Sequence, residues 1–159
     1  MEFFSQNLLI VVFLHVISGV VWVGGMIAMR YAAHYAFLGI KEPQERLEAI
    51  AYALKRLFYI VLPFTITLLV TAIILVKLYS LNGSELSYLS HTKEAIWSVM
   101  FINLLYMIYR RGKAQKALQA GEVAKAKELL ALIGSYLVPL NITLGVIAIF
   151  IGVVLGKFF

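Results

Sequence analysis

The chain has 159 residues, enough for one domain, and is 62% hydrophobic and 14% charged, where soluble domains run at about 45–50% and about 25%. It has no cysteine, which excludes disulfides, Cys-ligated zinc and Cys-held iron–sulfur clusters. Its formal charge is +6. The cations gather at the ends of apolar runs, which speaks for a membrane and against nucleic acid as the partner.

Four stretches carry no charge: Leu8–Met29, Leu57–Val76, Ala95–Tyr109 and Leu129–Gly156. A bilayer core of roughly 30 Å needs about 20 helical residues. The first run meets that length and is too long for a signal-peptide core, so it is expected to be retained. Next, "KEPQERLEAIAYALKRLF" puts Leu47, Ile50, Leu54 and Leu57 on one stripe with Pro43 at a first turn, predicting a helix-two extension outside the membrane. Asn82–Gly83 marks a turn before helix three. The third run has only 15 residues; Lys93 and Arg110 are expected to snorkel from its ends. "RRGKAQKALQAGEVAKAKELLAL" continues helix three, turns near Ala120–Gly121 and enters helix four.

Pro63 and Pro139 fall inside helices two and four, where each removes a backbone donor and predicts a kink. Thr65, Thr67, Asn141 and Thr143 stand near enough to satisfy the loosened backbone. Ala148, Gly152 and Gly156 give helix four a small-residue edge.

The expectation is an all-α fold. It is a single transmembrane domain over residues 1–159, an up-down-up-down four-helix bundle spanning at about 8–30, 57–79, 93–111 and 131–157. The connections Arg30–Arg56 and Arg110–Lys127 hold 11 of the 14 Lys and Arg. By the positive-inside rule both termini face outward and helices two to four extend on the cytoplasmic side of a bacterial-type inner membrane.

The polar residues inside the spans carry the functional reading. His15, Trp22 and Met29 fall within about 40° of one another on a helix, and Gly19 and Met26 share that face. An ionisable side chain within a span ordinarily faces the bundle interior. Counting depth from the run ends sets His15 level with Thr71, Met100 and Ala148–Gly152. His15 and Met100 are then candidate metal ligands, an axial pair for haem iron or a ligand pair for copper, with His91 at the outer mouth as a further copper ligand. A second polar level, Arg30, His34, Arg56, Asn103, Tyr106, Arg110 and Asn141, lies inward. Its cations suit acidic lipid heads or porphyrin propionates.

"LHVISGVVWVGG" resembles the first-helix signature of CopD-type copper-resistance domains. Its His-x6-Trp-x2-Gly spacing is similar to that of HemJ, the membrane protoporphyrinogen oxidases that carry a b-type haem. "LKRLFYIVLP", Lys93 and "GKFF" extend the likeness over most of the chain. The resemblance implies a haem-ligand role for His15 and cofactor-binding roles for Arg30, Arg56 and Lys93; Trp22 is expected to pack the pocket. Tyr106–Met107 stands where HemJ proteins have Tyr-His, and "SYLVP" has no acid before its proline.

The leading expectation is a haem-b-binding membrane protein, either a HemJ-like oxidoreductase or an electron carrier. CopD-like copper handling and a structural or assembly subunit are the alternatives. The lipid bilayer is the expected partner, with a porphyrin or electron-transfer partner, a homo-oligomer or a larger membrane complex left open.

Overall fold

The structure, a computed structural model, describes residues 3, 6–79 and 87–156. The Asn82–Gly83 turn and the Lys157–Phe159 end of "GKFF" lie outside the described residues. Four helices follow one another: α1 (Leu8–Leu38), α2 (Pro43–Leu78), α3 (Ser87–Gln119) and α4 (Val123–Leu155). Among the described residues no strand occurs.

Helices α1, α2 and α4 are long and apolar enough to cross a membrane. Their outward faces are apolar too: Leu9, Phe13 and Val16 on α1, Ile66, Val70 and Ile73 on α2, and Ile149, Phe150 and Val153 on α4 are exposed. Faces of this kind are untenable in water over such an area and are natural against lipid. Helix α3 is different. Its charge-free stretch stops at Arg110, and it lacks the length of apolar sequence the other three have. The expectation of four spanning helices is therefore met by three on length and composition.

The pairs α1–α2 and α3–α4 each pack in opposite senses. His15 meets Thr71 while Gly25, ten residues on, sits against Leu57 and Val61, so α1 and α2 run antiparallel. Lys93 lies at Gly152, Met100 at Gly145 and Asn103 at Leu137, which orients α3 against α4 in the same way. Arg111 of α3 donates from Nε to the Ala51 carbonyl of α2 at 2.8 Å, tying the two outside the apolar segments.

The turn from α3 to α4 falls where the sequence places it. Gly121 has φ +76°, and its N–H bonds the Leu118 carbonyl while that of Glu122 bonds the Ala117 carbonyl. This is the pair of hydrogen bonds of a glycine-stopped helix end, and the left-handed backbone there favours glycine.

The core runs from the Val23–Met100 level toward the Gly121 turn through Trp22, Met26, Leu54, Phe58, Val61, Leu104, Met107, Ile133 and Val138. In lipid there is little hydrophobic drive between helices, so close packing has to hold it. Gly145 shows how tight that packing is. A Cβ there would stand 2.4 Å from Val23 Cγ2 and 3.3 Å from Met100 Cε, so a glycine at that crossing lets α1, α3 and α4 converge.

Two helices change pitch midway. Met29–Ala33 of α1 and Ile133–Leu137 of α4 each form a π-helical turn. The second has a visible cause. Pro139 has no N–H for the Ser135 carbonyl, and its ring crowds that carbonyl; the wider turn just before it takes up the misfit. Pro63 sits inside α2 without such a turn, and Thr67 Oγ1 donates to the Pro63 carbonyl at 3.0 Å.

Candidate functional site

The bundle holds three polar levels, and the helix registers stack them consistently. At the first level His15 Nδ1 lies 2.9 Å from Thr71 Oγ1. The Thr71 hydroxyl sits 2.7 Å from the Thr67 carbonyl and 3.1 Å from that of Leu68. A hydroxyl has one hydrogen, and those carbonyls take it, so the oxygen is left to accept from His15. We assign the Nδ1–H tautomer on that ground. Nε2 then carries the lone pair, and the ring orientation is set by a buried threonine.

Lys93 reaches the same level from α3. Its Nζ is 3.1 Å from where a Cβ on Gly152 would be, so glycine at 152 makes room for the ammonium between α3 and α4. Among the described residues no glutamate pairs with Lys93. A Cβ at Gly19 or Gly156, one turn to either side, would meet nothing within 4 Å.

The second level is a partition. Asn103 Nδ2 donates to the Leu137 carbonyl at 2.8 Å and to Asn141 Oδ1 at 2.7 Å, and Asn141 Nδ2 faces the Met100 carbonyl at 3.4 Å. Both amides are buried. Val23, Met100 and Gly145 close the layer beside them. Trp22 is buried here, and its indole N–H has no hydrogen-bond partner in the structure, as is also true of Trp97; Trp97 stacks on Phe101.

The third level is a cavity of about 680 Å³ between α1, α2 and α4, at the end of the bundle that holds Arg30 and Lys127. Both π-helical turns line it, with Met29 and Arg30 on one side and Ile133, Gly134 and Ser135 on the other.

The sequence-predicted residues divide among these levels. Thr71, Lys93 and Gly152 join His15. Met100 does not. It is packed against Gly145 and Val23, eight residues or roughly 12 Å along α1 from His15, so no contact brings its sulfur to the imidazole. The depth count began at Ala95, but α3 starts at Ser87 and sets Lys93, two residues before Ala95, at the His15 level. Trp22 packs the partition rather than the His15 site. Arg30 and His34 line the cavity, whereas Arg56 is exposed and lines none of it. Arg46 and Lys127, which the sequence reading left out of the site, do line it; Arg46 directly precedes the buried stripe residue Leu47, which was the available signal. His91 faces Glu94 at 3.2 Å in an exposed pair.

The donor set can be tested against the two candidate cofactors. Haem needs one strong axial donor, an approach for a flat ring and a cation for its carboxylates. His15 offers a free Nε2 and Lys93 an ammonium, and Gly19 and Gly156 border open space, Gly156 at the exposed surface. Copper needs its ligands together; Met100 packs at Gly145 and His91 faces Glu94 in an exposed pair. Among the described residues no group of three or more His, Asp or Glu side chains is placed to hold a metal ion.

No protein-family model matches the chain, and neither a curated protein nor a solved structure does so. The likeness to CopD and HemJ proteins rests on the sequence motifs alone.

Proposed function

We propose that the chain is a multi-pass protein of a bacterial-type inner membrane that holds haem b on His15. The topology proposed is up-down-up-down with both termini outside, α3 crossing as a fourth span with Lys93 inside it at the His15 level and Arg110 at its inner end. The observation that carries the haem reading is the His15–Thr71 pair. A histidine ligand ordinarily donates its second ring N–H to a fixed acceptor, which sets the tautomer and raises the basicity of the ligating nitrogen. Thr71 meets that description, and it is itself fixed by the Thr67 carbonyl.

Each residue then has a task. His15 would hold the iron through Nε2, and Thr71 would orient the ring. Lys93 offers a cation to a carboxylate, with Gly152 leaving its space. Haem b, when bound, exchanges one electron between ferrous and ferric iron, which suits an electron carrier or a HemJ-like oxidoreductase. The Val23–Met100–Gly145 partition shields the site from the cytoplasmic side.

Detergent-purified protein from haem-supplied cells is expected to show a Soret band at one haem per chain. Loss of the band in His15→Ala, with Met100→Leu keeping it, supports this ligand assignment; the reverse pattern overturns it. The oxidase form of the proposal requires rescue of a strain lacking porphyrinogen oxidation.

A further inference from the structure

The inner cavity is a second site, independent of the His15 reading. Its floor is apolar: Leu47, Ile50, Leu54, Leu130 and Val138 among others. Its cations are Arg30, Arg46 and Lys127, with His34 beside them. Among the described residues none of these three forms an ion pair with a glutamate; Arg30 rests on the Tyr31 ring at 6.0 Å. Three uncompensated cations around an apolar hollow match one kind of ligand, an anionic head joined to hydrocarbon. A volume of about 680 Å³ lies within the roughly 300–1,000 Å³ of small-molecule sites. The cavity opens where the charge-free runs end at Arg30 and near Lys127, the depth of lipid phosphates. The π-helical turns on two of its walls are a feature that recurs at functional sites.

We propose that this cavity binds one acidic phospholipid, with Arg30, Arg46 and Lys127 around the phosphate and an acyl chain along Leu47, Leu54 and Val138. Gly134 separates this from general attraction of a basic surface to acidic membranes. It lines the cavity, and a Cβ there meets nothing within 4 Å. Gly134→Leu therefore fills the space while every cation stays.

The test is native mass spectrometry of the full chain in detergent, titrated with phosphatidylglycerol, with phosphatidylcholine of the same chains, and with inorganic phosphate. One phosphatidylglycerol per chain is expected, bound roughly tenfold more tightly than phosphatidylcholine, and inorganic phosphate alone is not retained. Gly134→Leu loses the bound lipid, and the combined Arg30→Gln, Arg46→Gln, Lys127→Gln variant loses the preference. If Gly134→Leu is not recovered folded, Ala131→Phe, at an exposed lining position, obstructs the same space and is read the same way. Equal binding of the two lipids overturns the proposal. So does phosphate retention matching that of lipid, or a filled cavity that still retains phosphatidylglycerol.

Discussion

The half of this bundle around His15 and the half around Arg30, outer and inner in the proposed topology, handle polar groups in opposite ways. In the outer half one imidazole is locked by one hydroxyl, and one lysine fits a space the size of a missing methyl group. In the inner half three cations stand loosely around a hollow that two π-helical turns help to line. The first arrangement fixes a single atom, Nε2 of His15, as a metal donor requires. The second fixes no atom closely and accommodates a bulky, flexible anion. The layer of Val23, Met100, Gly145 and the two asparagines keeps them apart. Burial alone does not make a site: Met100 is more deeply buried than His15 yet serves packing, because its neighbours are a glycine and a valine.

Four substitutions probe that contrast. The largest effect is expected at the partition. Gly145→Leu drives a side chain into Val23 and should destabilise the fold by about 3 kcal/mol, read as a lower thermal midpoint in detergent; Val23→Ala in the same chain should restore part of it. Thr71→Val comes next and concerns the outer half alone. It leaves Nδ1–H without its acceptor and should weaken haem retention by roughly 10–100-fold, measured by transfer to apomyoglobin, while Thr71→Ser stays near wild type. Asn103→Leu strands Asn141 in the partition and should cost about 1–2 kcal/mol; the double variant Asn103→Leu, Asn141→Leu should cost less than the sum of the two single changes. Gly121→Ala touches only the turn at the inner end. It should cost about 1 kcal/mol through its positive φ and leave the haem spectrum unchanged.

Much of the architecture is legible in the residues. Charge-free runs locate α1, α2 and α4, the Gly121 turn is visible in "QAGE", and counting depth along α1 and α2 pairs His15 with Thr71. The same count fails on α3, because Lys93 looks like a membrane boundary and is instead level with His15. A lysine stem spans several ångströms, so the place of its Cα in the chain says little about the depth of its ammonium. The π-helical turns are unequally legible. Pro139 hints at the one in "IGSYL", whereas nothing in "MRYAA" sets it apart from ordinary helix. Those turns line the cavity, and its other walls come from distant helices, so Arg46 and Lys127 could not be joined to Arg30 by spacing along the chain.

The most direct test of the central claim is the visible absorption spectrum of the purified protein beside His15→Ala and His91→Ala. The account predicts one haem per chain in the parent and in His91→Ala, and none in His15→Ala. A colourless parent protein from haem-supplied cells, or a His15→Ala variant that keeps its Soret band, contradicts it.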